Sequence, residues 1–161
     1  MAQFTVTKAT IADLQSANKL LRFAKNSKDL VLRFPHFEGK GLHDMCIAAL
    51  SDAVWVTRAD GTSQGGYFLL MAPKELLAGE LTEYTILDWK SFKLSRVSRS
   101  SLNAETQAAV SANEAMEYCK VFVGLITTGE TNLLSPTLRR TVPSALVVDA
   151  KSLYEIGRAH V

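Results

Sequence analysis

The chain is poor in the residues that usually announce a site or an address. Only Cys46 and Cys119 are cysteines in 161 residues, and both sit in apolar surroundings without metal-type spacing. That excludes a disulfide framework and a cysteine zinc site, and it suits buried thiols in a reducing compartment. His36, His43 and His160 have no companions at ligand spacing, so structural or exposed roles fit them better than catalysis. No run approaches the ~18 apolar residues of a membrane span. The polar start MAQFTVTKAT also lacks a signal-peptide core. An intracellular protein without membrane contact is expected. Phosphate loop, nucleophile elbow, zinc motif, internal repeat and low-complexity segment are all missing. Neither sign of charge dominates: a formal net charge of +2 does not by itself point to a nucleic-acid partner.

What is present is enough apolar residue for a core. With 47% hydrophobic and 21% charged residues, the chain fits a globular domain, not a disordered segment. Its most telling stretch is CIAALSDAVW, residues 46–55, a strand-like apolar run with Asp52 in its middle. Burying an unpaired carboxylate costs on the order of several kcal/mol. Asp52 therefore needs a partner, a metal or an open edge.

The pattern around this run predicts an order of elements. Thr10 caps a helix over 10–26, with Ile11, Leu14, Ala17, Leu20, Leu21 and Ala24 near the helical period. LVLRFPHF is extended, as an edge strand or a connector, and residues 38–40 form a loop. After the central strand, Asp60-Gly61 signals a hairpin into a second strand over 64–72. Residues 73–82 hold a short helical turn at KELL, and 83–89 form the third strand of a meander. Ser100 and Ser101 offer caps for a long helix with Ala104, Ala108, Ala112, Ala115, Cys119 and Phe122 on its apolar face. Residues 127–143 read as a loop with a short helical stretch, and SALVVDA as a fourth strand. Residues 150–154 begin a last helix with too little chain for a stable unit. The fold class is α/β, a mixed sheet of three antiparallel strands plus a parallel one, with flanking helices.

Acids fall at special places in that outline. Asp52 lies inside the first strand, Glu105 in the first turns of the long helix, and Asp149 at the end of the fourth strand. If strands four and one pair, Asp52 and Asp149 are neighbours and the helix brings Glu105 over the same spot. Crowded carboxylates repel unless a proton or a hard cation such as Mg²⁺ intervenes. Each acid also has a plain reading: Asp149 as a helix cap, Glu105 as a solvated helix acid, Asp52 on a bulge open to water. Only their convergence makes a metal site. Lys90, Lys93, Arg96 and Arg99 recur every three residues between the third strand and the long helix, with Arg139 and Arg140 further on. They form either a solvated edge or a row of phosphate contacts. Gln64, Gly65 and Gly66 permit close backbone approach at the hairpin.

The segments SDAVW, SQGGY, DWKSFK, RSSLNAETQAA and LVVDAKSLY, in this order and spacing over about residues 50–154, resemble the ribonuclease H domain of Ty1/copia-type retrotransposon polyproteins. The resemblance implies an RNase H-like domain over 41–154, following a connector over 1–40 that succeeds a reverse transcriptase. It implies that Asp52, Glu105 and Asp149 are catalytic, metal-binding acids. They would hold two Mg²⁺ ions, with Mn²⁺ as a substitute, that cut the RNA strand of an RNA-DNA hybrid. Gln64, Lys90, Lys93, Arg96, Arg99, Ser100 and Ser101 are then substrate-binding residues, and selectivity comes from 2′-hydroxyls across the wide minor groove. The reverse transcriptase domain of the same polyprotein is the expected partner, in a cytoplasmic virus-like particle or the nucleus. The family has a fourth acid after the next helix, which this chain does not reach. EIGRAHV looks like a translated sequencing adapter, so 155–161 are expected to be non-native and the last helix truncated. An inactive, non-catalytic nucleic-acid-binding module is the alternative. An integrase-like nuclease is disfavoured by the Trp-Lys-Ser and Ser-Ser segments.

Overall fold

The computed structural model describes residues 9–56 and 61–158, with side chains through Glu155. It divides into two compact units, Met1–Arg33 and Phe34–Val161. In the first unit, α1 spans Ile11–Asn26. Thr10 Oγ1 accepts the Asp13 N–H, and the Asp13 carboxylate accepts the Thr10 N–H in return, a reciprocal cap that fixes the helix start. No residue of α1 is buried. The extended segment LVLRFPHF carries no strand pairing and is a connector.

The second unit is built on a four-stranded sheet in the order β3-β2-β1-β4. The strands are β1 (Met45–Val54), β2 (Gln64–Pro73), β3 (Thr85–Lys93) and β4 (Ser144–Val148). β1, β2 and β3 form the antiparallel meander, and β4 joins β1 in parallel. The expected α/β, RNase H-like arrangement of mixed sheet and flanking helices is what the chain adopts. The link between β1 and β2 is longer than a two-residue turn. Gly61 within it takes φ +72, while Asp60 lies outside the described residues. KELL falls in a 3-10 turn over Lys74–Ala78, closed by Gly79 in the left-handed region. Lys40 forms an ion pair with Glu75 at its start.

α2 (Ser101–Thr128) lies across one sheet face, starting at the Ser100 cap, whose Oγ accepts the Asn103 N–H at 3.2 Å. Ala104, Ala108 and Ala112 are fully buried, and Met116 continues their row. The core joins Ile47, Ala49, Tyr67 and Leu69 of the sheet to Ala112, Met116 and Val123 of the helix and to Val142. Phe122, expected on this face, is exposed; Val123 and Gly124 take the inward positions. α3 (Pro136–Arg140) carries Leu138, wholly buried, over the far end of α2. A Cβ on Gly124 would stand 2.5 Å from the Leu138 carbonyl oxygen, so glycine is what lets the two backbones touch. α4 (Lys151–Arg158) runs past Tyr154, further than the few residues expected, with Lys151 and Glu155 paired at 3.6 Å.

The third strand also ends later than expected. Lys90 and Lys93 stand on β3, paired with Tyr67 and Gln64 of β2, so only Arg96 and Arg99 of the basic row lie between strand and helix. Cys46 is buried and Cys119 half-buried, both as free thiols whose pKa burial pushes up. Among the described residues, no helix is long and apolar enough to cross a membrane.

Candidate functional site

Strand alternation and helix placement bring the acids together. The β1–β4 ladder ends at Ser51 opposite Val148, so Asp52 is the next residue of β1 and Asp149 directly follows the end of β4, which stops two residues before the expected end of SALVVDA. Ser51 points to the core and is buried, and Asp52, one residue on, is exposed. Glu105, on the second turn of α2, comes from the covered side. Each of the three residues offers a carboxylate oxygen, and these oxygens lie within 4.8 Å of one another.

Glu105 is the electrostatic centre of the cluster. Its Oε2 is shut off from solvent and has no hydrogen-bond partner. Burial first, then the charges of Asp149 and Asp52, push its carboxyl above the usual carboxylate range, and a hydrogen bond from the Ala53 backbone N–H offsets this in part. An inward, unsatisfied carboxylate oxygen facing two more carboxylates is a donor set for a hard cation. The three residues could hold a metal ion.

The close packing of α2 on the sheet depends on Gly65. A Cβ there would lie 2.7 Å from Leu94 Cδ2 and 3.3 Å from Ala108 Cβ. The close approach expected at this glycine is therefore made by a helix of the same chain. Gly66 is limited by the neighbouring strand: a Cβ there would lie 3.3 Å from the Lys90 carbonyl oxygen.

Asp52 and Asp149 open onto a cleft of about 580 Å³ on the sheet face away from α2. Leu50, Phe68 and Trp89, neighbours across three strands, form its floor. Gln64 and Lys90 also line it, and Gln64 Nε2 donates to Ser91 Oγ at 2.9 Å. Lys90 Nζ stands 5.7 Å from the Phe92 ring centre. Lys93 and Arg96 line a second cleft, between the β3–α2 loop and α2. Arg99, Ser100 and Ser101 line neither of these clefts. The Ser100 hydroxyl oxygen caps α2, a bond that uses the oxygen as acceptor and not the hydroxyl proton.

Three residues that the sequence did not single out hold this region together: Ser63, Ser98 and Gln107. The Ser98 carbonyl bonds to Trp55, 43 residues away, the Ser63 carbonyl bonds to Leu94, and Gln107 joins α2 to the loop before it through Arg96 and Ser98. No local pattern signals such bonds.

Among solved structures, the chain is similar to a foamy viral protease-reverse transcriptase in complex with an RNA/DNA hybrid. The identity is 11% and the TM-score 0.29, over 95% of this chain and 25% of that one. The chain thus spans a quarter of that protein's length, and a likeness this distant carries no argument about function. No family model matches, and no curated protein does.

Proposed function

We propose that the chain is a metal-dependent ribonuclease H domain of a Ty1/copia-type retrotransposon polyprotein, hydrolysing the RNA strand of an RNA-DNA hybrid during reverse transcription. One observation carries this reading: Asp52, Glu105 and Asp149 converge within 4.8 Å, and the Glu105 Oε2 in their midst is buried without a partner. The ordered segments from SDAVW to LVVDAKSLY support the choice of family.

The residues present fit a divalent cation. Asp52 and Asp149 would hold it from the solvent side and Glu105 from beneath. Bound Mg²⁺, or Mn²⁺ in its place and two ions by the resemblance, supplies Lewis-acid polarisation of the scissile phosphate and lowers the pKa of an attacking water. Without a cation, this trio of carboxylates repels a phosphodiester. The protein's own part is to keep the acids in place. The β1–β4 register sets Asp52 beside Asp149, and the Ala53 N–H holds the Glu105 carboxylate. Lys90, Lys93, Arg96 and Arg99 supply phosphate contacts, while Gln64, Ser100 and Ser101 offer polar groups to 2′-hydroxyls of a wide minor groove.

The test is cleavage of an end-labelled RNA-DNA hybrid in Mg²⁺, with EDTA, an all-DNA duplex, Asp52→Asn and Glu105→Gln as controls. Mg²⁺-dependent cuts confined to the RNA strand, lost in both variants, are expected. Hybrid binding that survives both substitutions, with no turnover by the unaltered chain, would assign it instead to non-catalytic binding.

A further inference from the structure

The acid cluster leaves the buried serines unexplained. Among the described residues, Ser51, Ser63 and Ser98 are the buried polar side chains. Ser63 and Ser98 both fasten the loop between β3 and α2. The Ser63 carbonyl accepts the Leu94 N–H at 3.0 Å, and its Oγ accepts the Val56 N–H at 3.1 Å. The Ser98 carbonyl accepts the Trp55 indole N–H at 2.9 Å, and Gln107 Nε2 donates to Ser98 Oγ at 3.0 Å. Gln107 Oε1 also accepts the Arg96 N–H at 3.3 Å, and its Nε2 lies 2.9 Å from Asn103 Oδ1.

The loop is thus pegged at Leu94 and Ser98, both buried, while Ser95, Arg96, Val97 and Arg99 face solvent. Its fastenings come from the elements that carry the acids. Trp55 is three residues past Asp52 on the chain leaving β1, and Gln107 is two residues past Glu105 on α2. Exposed loops are ordinarily mobile, and ordering one costs conformational entropy. A loop held this way presents its cations in a fixed relation to the acids, which is what recognition of a stiff, regularly spaced phosphate backbone needs.

We propose that Gln107 and Trp55 are positioning residues: by clamping Ser98 they hold Arg96 and Arg99 as a preformed phosphate contact in register with Asp52 and Glu105. The proposal rests on the ribonuclease H reading for its ligand, but it concerns binding and is tested by binding. The full chain is titrated with an RNA-DNA hybrid over a series of salt concentrations, with thermal melting of each variant alongside. Arg96→Ala with Arg99→Ala should reduce the slope of log affinity against log salt by about 2, one unit for each lost phosphate contact. Gln107→Met, which keeps the side-chain length, and Trp55→Phe, which keeps a ring, should each weaken binding several-fold and reduce the slope by about 1. In the background lacking both arginines, Gln107→Met should change nothing further, because it acts only through them.

A variant that lowers the melting temperature but leaves affinity and slope unchanged would make the clamp merely structural and overturn the proposal. So would a Gln107→Met effect undiminished once the arginines are gone. If the unaltered chain binds no hybrid, the ribonuclease H reading fails, and this inference with it.

Discussion

The two faces of the sheet are built differently. Where the first half of α2 crosses the sheet the contact is made by small residues: Ala104, Ala108 and Ala112 pack near Ala49 and Gly65, all four alanines fully buried, while Ile47, Tyr67 and Leu69 fill the rest of this face. On the open face the residues are large, with Leu50 38%, Val147 49%, Phe68 50% and Trp89 58% exposed. Small residues let helix and sheet approach closely, and the approach brings the Glu105 carboxylate to Asp52 and Asp149 at the ends of β1 and β4. The covered face therefore sets the geometry of the acids, and the open face supplies the cleft they look onto.

Substitution of the acids themselves should do the most damage. Asp52→Asn should cut hydrolysis by about 10³-fold, several kcal/mol of transition-state stabilisation, with little change in melting temperature; single-turnover cleavage measures it. Next come the close approaches. Gly124→Ala should cost about 3 kcal/mol, since its Cβ meets the Leu138 backbone, which cannot yield as a side chain can. Gly65→Ala should cost about 1–2 kcal/mol, because the end of Leu94 can rotate away, yet it should also reduce activity by lifting α2 and Glu105. Urea denaturation together with cleavage separates the two. On the open face, Phe68→Thr or Trp89→Thr should change stability by about 0.5 kcal/mol or less. A large loss there would show that this face is covered after all.

The smallest effect is a pH dependence. The folded protein holds the Glu105 proton more tightly than the unfolded chain does. This contribution to stability is complete below the unfolded value of about 4.3 and is lost as pH rises through the raised folded pKa. In EDTA, the melting temperature of the unaltered chain should therefore fall relative to Glu105→Gln as pH rises across that window. Saturating Mg²⁺ should close the gap. A difference that does not vary with pH would remove Glu105 from the electrostatic centre.

The sequence made the acids legible because each stood at an element end or broke an apolar run, and strand order then brought them together. The first two strands and the capped long helix were legible for another reason, a run of apolar residues or a clean period. Where burial is one-sided or weak, the period fades. β3 is an edge strand with mostly exposed side chains, so its pairing as far as Lys93 left no hydrophobic trace, and Lys90 and Lys93 read as loop residues. Phe122 fell out of register because a helix of 28 residues meets the sheet near its start and α3 near its end, and the buried stripe shifts with the partner. Ser63, Ser98 and Gln107 had no periodic signature, since their bonds join a loop to other elements at irregular spacings.

The β1–β4 ladder stops one residue short of Asp52 and Asp149. A slip of β4 by a single step would carry Asp149 about 3.3 Å along the strand and turn it to the opposite side. The trio would then be scattered, and with it any affinity for a cation. Ion capture would thus reward only the correctly paired strand, so divalent salt should speed or complete the docking of this last, short, parallel strand as well as serve chemistry.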